Sequence, residues 1–373
     1  MDKKIPWHEP RFGKEEKRLV SEVLDSRFVS EGEKSQMLVG CLKEYLRVNY
    51  IVLTVSGTAS IFLALKADKL IRALDYFEVI VPDLAPVAVA NAVRWAGGEP
   101  ILADVNIESL CLDLESAKSK TTPHTKAIIL VHTLGRNALN GDFKEFASEN
   151  GLTLIEDSAG ALGSKHNGQF LGTFGKMGCF SLQAQKIISA GQGGFIATED
   201  STYFRMLSRL KDQGKIIDER DYPIEGYNLE FNDVSAAIGL AQIRGIEKRK
   251  HLLINQWRQY HRALGDLPQV EFPKVQINSG EVPLYINAFF ERRDELMQRL
   301  SMKNIGWMDF WPLTHRKPFY SKQGGDERFP NACYIADNAL WLPNGPTVTS
   351  DDIKSVCKTL HDFYLEERGE GGI

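Results

Sequence analysis

Gly178-Cys179-Phe180-Ser181-Leu182-Gln183-Ala184-Gln185-Lys186 runs on through Ser189-Ala190-Gly191-Gln192-Gly193-Gly194 into Phe195-Ile196-Ala197-Thr198. Two short apolar runs, 178–182 and 195–198, flank a polar, glycine-rich link, and neither run alternates apolar with polar residues. That pattern belongs to strands covered on both faces of a sheet. Runs of the same kind recur at 50–55, 78–81, 101–105, 127–132 and 153–155, with amphipathic stretches such as 59–74 and 143–150 between them. Strand–helix alternation predicts an α/β fold built on a mostly parallel seven-stranded sheet flanked by helices. After Gly245 the pattern changes to a long charged helix over 246–264, then to mixed strands and helices. Residues 1–245 are therefore expected to form a large domain and 246–373 a smaller α+β C-terminal domain, on which the N-terminal segment is free to pack. Beyond the short polar tail at 366–372 there is no low-complexity segment.

Composition narrows the functional classes. The 373-residue chain is 43% apolar and 25% charged with a net charge of −4, an ordinary globular balance that gives no pull toward nucleic acid or a membrane surface. Cys41, Cys111, Cys179, Cys333 and Cys357 are scattered, odd in number and without a CxxC pair. This argues against a disulfide framework or a zinc site and for a reducing compartment. The start, Met1-Asp2-Lys3-Lys4-Ile5-Pro6-Trp7, lacks the apolar core of a signal peptide, and no apolar run approaches a membrane span, so the cytoplasm is the expected location.

In sheets of this type ligands collect beyond the carboxyl ends of the strands. Three chemically distinct features fall there. Ser56-Gly57-Thr58-Ala59 follows a strand and opens a helix, where free N–H groups and the positive dipole end suit a phosphate; a plain capped helix would read the same way. Asp157 ends an apolar run, as a solvated loop carboxylate also could. Lys186 follows the strand that ends near Ser181 and precedes three glycines, although most lysines are simple surface charges. Taken together, an amine, a strand-end carboxylate and a small-residue phosphate turn are the parts that hold pyridoxal 5'-phosphate (PLP). His132 closes a strand and is read as packed and hydrogen-bonded. Gly172-Thr173-Phe174-Gly175-Lys176 resembles a phosphate loop only faintly, since Phe170 stands at the first-glycine position and Met177 replaces Ser/Thr. No GxGxxG follows a strand, so nucleoside triphosphate and NAD readings lack support.

These residues resemble the DegT/DnrJ/EryC1/StrS sugar aminotransferases, PLP enzymes of the aspartate-aminotransferase-like fold type I. The resemblance runs from Ile5-Pro6-Trp7-His8-Glu9-Pro10-Arg11-Phe12-Gly13 and Ser30-Glu31-Gly32 through Ser56-Gly57-Thr58-Ala59, Glu156-Asp157 and the S-x-x-x-x-K segment Ser181 to Lys186. It continues in Gly226-Tyr227-Asn228, Asn232-Asp233-Val234-Ser235-Ala236-Ala237, Pro312-Leu313-Thr314-His315-Arg316-Lys317-Pro318 and Leu342-Pro343. It implies Lys186 as the covalent attachment point and proton carrier, and Asp157 as the anion facing the ring nitrogen. Gly57, Thr58, Ala59 and Ser181 are implied as phosphate contacts, with Asn228 reaching the phosphate of a neighbouring subunit in a homodimer with shared sites. The implied reaction gives an amino sugar from a keto sugar, nucleotide-linked, with glutamate as amino donor. Four positions depart from the family pattern: Gly160 where Gln or His is usual, Pro86 where a ring often stacks, Gln192 for Glu, and Glu230 for an arginine. Two other readings follow from the resemblance. One is a PLP-dependent sugar dehydratase, against which Lys186 weighs because such members carry histidine there. The other is a weakened paralogue with a regulatory or partner role, favoured by Gly160, Pro86 and Glu230.

Overall fold

The computed structural model describes residues 4–139, 142–216 and 221–370; the end of the polar tail lies outside them. Seven strands form the main sheet: β1 (Tyr50–Thr54), β2 (Glu78–Pro82), β3 (Glu99–Ala103), β4 (Thr125–Val131), β5 (Thr153–Asp157), β8 (Met177–Ser181) and β9 (Gly194–Thr198). Between β5 and β8 lies a two-residue hairpin, β6 (Lys165–His166) and β7 (Gln169–Phe170). The order across the main sheet is β1-β9-β8-β5-β4-β2-β3. Only β9 runs against its neighbours, so the sheet is mostly parallel as expected. Its strands are buried on both faces; Val79, Ile80, Ile128, Ile129 and Ile155 have no exposed surface. Side chains this size each stabilise the fold by about 1.5–3 kcal/mol when fully buried.

One strand is displaced from the sequence reading. The run at 101–105 predicted a strand there, but β3 begins at Glu99, paired with Glu78, and stops at Ala103. Val105 instead bridges Leu112. The early start carries Pro100 into the strand, which an edge position tolerates because a proline can leave its missing N–H on the open side.

A second, four-stranded antiparallel sheet follows: β10 (Val270–Glu271), β11 (Ile286–Phe290), β12 (Met308–Asp309) and β13 (Ala339–Leu342), in the order β10-β11-β13-β12. Its two faces have different partners. Ile286, Ala288, Phe290, Leu340 and Leu342 pack with Leu360 and Tyr364 of the last helix. Tyr285, Phe289, Ala339 and Trp341 join the main core instead. The helix Ile246–Leu264 spans both, with Leu253 in the main core and Tyr260 and Leu264 in the second. Ile5 is held against the second sheet's side by Ile5 N–H to Asn304 O (3.0 Å) and Gly306 N–H to Ile5 O (2.8 Å). Ile5 thus packs in the second core while Trp7 packs on Tyr285 of the main one (5.2 Å between centroids).

Candidate active site

The turn after β1 is built by hydroxyls. Ser56 caps the helix Gly57–Ile71, its Oγ accepting from Ala59 N–H (3.1 Å), while Thr54 Oγ1 lies 2.7 Å from Ser60 Oγ. With the Ala59 N–H taken in this way, Gly57 and Thr58 are the first-turn residues whose N–H groups are open to an anion. Two neighbours approach this turn so closely that only glycine fits. A Cβ on Gly57 would lie 2.9 Å from Ser181 Cβ, and one on Gly194 would lie 2.5 Å from Ser56 C. Ser181 and Gly194 are themselves paired across β8 and β9. Gly57, Thr58 and Ser181 thus meet at one point, from segments more than a hundred residues apart. Gly194→Ala should displace the helix turn and weaken PLP retention about tenfold or more, measured by cofactor titration; unchanged retention would place the phosphate elsewhere.

Asp157 is buried at the end of β5, one oxygen accepting from Ala159 N–H (3.0 Å). Burial pushes its carboxyl above the ordinary value, opposed by the Ala159 N–H and by the charge of Lys186. Lys186 moves the opposite way: burial lowers its amine, and Asp157 partly restores it. The two groups feel each other, yet among the described residues neither forms an ion pair. Lys186 sits in a closed loop. Leu182 N–H bonds Gly193 O (2.9 Å), Ala190 N–H bonds Leu182 O (2.8 Å), and Lys186 N–H bonds Gln183 O (2.9 Å). Tyr285 from the second sheet's segment ties the loop from above, donating to Gln185 O (2.9 Å). A depressed, desolvated amine is a nucleophile rather than a surface charge.

Beside Asp157 lies a network whose donors the sequence reading did not identify. Glu156 has no exposed surface and accepts from Gly172 N–H (2.7 Å), Phe174 N–H (2.6 Å) and Gly175 N–H (2.6 Å). His132 Nδ1 accepts from Ala138 N–H (3.0 Å), which leaves the proton on Nε2 to be donated to Glu156 (2.8 Å). The segment that resembled a phosphate loop therefore binds the chain's own carboxylate. Burial alone would raise the Glu156 carboxyl, but His132 and the Gly175 and Gly172 N–H groups hold it below its ordinary 4.5. A depressed carboxyl contributes stability that is complete above the unfolded value and is lost as pH falls through the folded one. Glu156→Gln should cost about 3 kcal/mol or more at neutral pH, because an amide N–H2 then faces N–H donors. Its melting temperature should also vary less than wild type's as pH falls below about 4.3, read by thermal melts across pH.

The N-terminal segment adds groups not singled out in the sequence. His8, Arg11 and Arg249 line a narrow cavity with Lys186. Burial, with a smaller contribution from the Lys186 charge, lowers His8 to about 4, against the bond its Nδ1 makes with Asn344 Oδ1 (3.3 Å). The signal was present in the opening motif, but nothing local says where an extended terminus returns. Of the departing residues, Gly160 is not forced by space, since an added Cβ would meet only ordinary contacts, Leu134 N at 3.5 Å being nearest. Pro86 lies just beyond β2 and accepts from Val89 N–H (2.9 Å), and Gln192 is exposed. Glu230 lines a cavity with Glu31 and Lys211. Asn228 is also not brought to Lys186's loop by hydrogen bonds. It is exposed and bridges Asp212, while Tyr227 packs on Phe62 (4.9 Å) and Leu229 O accepts from Val55 N–H (3.3 Å).

A mostly parallel seven-stranded sheet with a lysine loop, a strand-end carboxylate and a glycine-lined anion turn at its carboxyl edge defines a PLP enzyme of fold type I. The chain belongs to the DegT/DnrJ/EryC1/StrS aminotransferase family, whose profile matches residues 10–361. It is 30% identical to a GDP-perosamine synthase of Escherichia coli O157:H7, across 98% of this chain and the whole of that protein. Among solved structures it is similar to DesI in the presence of its TDP-sugar product, with a TM-score of 0.89 and 25% identity over 99% of this chain and 96% of that one. Helicobacter pylori PseC, an aminotransferase of pseudoaminic acid biosynthesis, shares the fold at a TM-score of 0.91 and 21% identity, over 98% of this chain and 100% of that one. The enzyme is a PLP-dependent aminotransferase, and its residues fit the cofactor. The N–H groups of Gly57 and Thr58 lie open at the first helical turn beside Ser181, and buried Asp157 and partly buried Lys186 have no ion-pair partner among the described residues.

Proposed function

We propose that the enzyme converts a nucleotide-linked keto sugar to an amino sugar, taking the amino group from glutamate, as a cytoplasmic homodimer with shared sites. The observation that carries this is the meeting of Gly57 with Ser181, the end of the strand whose following loop holds Lys186, with Asp157 at the end of the adjoining strand. The substrate class draws support from the GDP-perosamine synthase and TDP-sugar-bound relatives. The five free cysteines support the compartment, and no described helix is long and apolar enough to cross a membrane. We assign residues 1–245 to a large domain and 246–373 to a small one, with the N-terminal segment packed on the latter through Ile5 and Ile305.

When bound, PLP supplies an aldehyde that bonds amines and a ring that takes up negative charge. The chain supplies the rest. Gly57 and Thr58, at the start of the helix turn whose Ala59 N–H already bonds Ser56, and Ser181 would hold the phosphate. Asp157 keeps the ring nitrogen's proton in place. Lys186 Nζ would anchor the cofactor and, once free, would serve as the base that carries the substrate's proton. Adding glutamate to the PLP-loaded protein should convert the cofactor's aldehyde absorbance to that of the amine form, and a keto sugar should reverse it. No change with any amino acid would favour the weakened-paralogue reading.

The exposed position of Asn228 on its own chain supports a reach to a second subunit, and an apolar patch nearby in sequence to the family's Ser30-Glu31-Gly32 segment (Leu24, Phe28, Val29 and Met37, all exposed) offers a face for one. Asn228→Ala should weaken PLP retention without unfolding the protein. Mixed with Lys186→Ala after subunit exchange, it should regain activity, since half the heterodimer's sites then carry both defects and half carry neither. If exchange occurs and no activity returns, the sites are not shared through Asn228.

A further inference from the structure

A second cavity opens away from Lys186, between the loop after β4, the segment after β3 and the segment 274–281. It holds about 290 Å3, near the lower bound for small-molecule sites. No residue lining it also lines the Lys186 cavity. Arg136 is its most unusual wall residue. The side chain is 2% exposed, donating from Nε to Lys274 O (3.1 Å) and from Nη2 to Asn287 Oδ1 (3.0 Å). Nη1 is buried with no acceptor, and so is Asn287 Nδ2. Among the described residues no carboxylate comes within ion-pair distance of this guanidinium. Burial lowers it to about 10, against the more distant charge of Glu281, so it remains a cation at neutral pH. A buried cation with an idle N–H calls for an acceptor, preferably an anionic one.

The other charges of the wall say what else the ligand carries. Glu281 is committed to the protein, accepting from Asn137 N–H (2.9 Å) and Gln276 N–H (2.6 Å). Its hydrogen bonds leave its charge in place, so the wall sets Arg136 and Lys274 against Glu108, Glu281 and Asp113, whose Oδ1 also accepts from Ser116 N–H (2.8 Å). A simple anion would meet at least as much repulsion as attraction there. A zwitterion meets complementary charge at both ends.

We propose that this cavity binds a free α-amino acid, its carboxylate on Arg136 and Lys274 and its ammonium facing Glu108 and Asp113. The site goes beyond the aminotransferase reading, because it binds the ligand without Lys186 and leaves it chemically unchanged. Arg136 donates from the loop that begins at His132, and the Lys274 carbonyl and Asn287 accept from it on the segments leading into and through β11. The ligand would therefore sit against an existing tie between the two sheets.

The test is a calorimetric titration of borohydride-treated holoenzyme with L-glutamate and, separately, with glutarate, which has the carboxylates and lacks the ammonium. Glutamate should bind saturably, one per chain, and glutarate about tenfold or more weakly. Lys274 and Glu108 are exposed, so their substitution spares the core. Lys274→Met should weaken both ligands about tenfold, and Glu108→Gln should weaken glutamate while leaving glutarate unchanged. Absence of saturable binding, or equal affinity in wild type and both variants, overturns the proposal. The borohydride step reports separately on Lys186, as cofactor absorbance retained after denaturation. Should none be retained, the same titrations on untreated protein decide the second site by the same variant comparison.

Discussion

Lys186→Ala should abolish amino transfer, and borohydride reduction of the wild-type enzyme should leave the cofactor's mass on the peptide containing Lys186. The expectation rests on position more than on residue type. Lys165, Lys176 and Lys186 all lie between β5 and β9, but their surroundings differ. Lys176 pairs with Asp200 (3.4 Å) at the surface, and Lys165 stands over the Phe170 ring (4.4 Å). Neither is directed to the carboxyl edge of β5. Burial brings the Lys186 amine below its ordinary value, and the charge of Asp157 partly restores it. Losing both the anchor and the proton carrier removes two contributions at once, so turnover should fall to the background of the assay. An exogenous primary amine should recover a small part of the rate, since it replaces the proton carrier and not the anchor. The cofactor label appearing on Lys165 or Lys176 would defeat the assignment.

The sheet was legible because its strands are unbroken apolar runs, a pattern that burial on both faces requires and that few other structures produce. The site was legible to the extent that it sits at strand ends, where sequence order fixes position: Ser56 after β1, Asp157 at the end of β5, Ser181 at the end of β8. What sequence could not give is contact between distant segments. The Glu156 carboxylate draws its donors from sixteen to nineteen residues onward, through a loop whose glycines looked like a phosphate motif. The second sheet was harder still. Two of its four strands are two residues long, and β12 has both residues exposed, too little for periodicity to register. The return of Ile5 to Ile305 spans three hundred residues with no local signal. The close approach of Gly57 to Ser181 is of the same kind, since each residue looks ordinary until the pairing of β8 with β9 and β9 with β1 brings them together.

Asp157→Ala should lower turnover more than a hundredfold while PLP still binds, because the phosphate cradle at Gly57, Thr58 and Ser181 is untouched. The carboxylate is held rigidly. Val131 and Cys179 pair with it from the strands on either side, and its own carbonyl accepts from His132 N–H (3.0 Å). Burial raises its carboxyl, so by itself it tends toward the neutral acid; a positive ring N–H opposite it would reverse that tendency and be held protonated in return. Removing a fixed charge from a site where charge develops in the transition state typically costs about 3 kcal/mol, roughly two orders of magnitude in rate. Asp157→Asn separates charge from shape, since an amide keeps an oxygen for the Ala159 N–H but cannot hold a proton on the ring nitrogen. The asparagine variant should therefore be nearly as slow as the alanine one. If asparagine restored most of the rate, the carboxylate would be acting as a spacer, and the ring nitrogen would have to find its proton elsewhere.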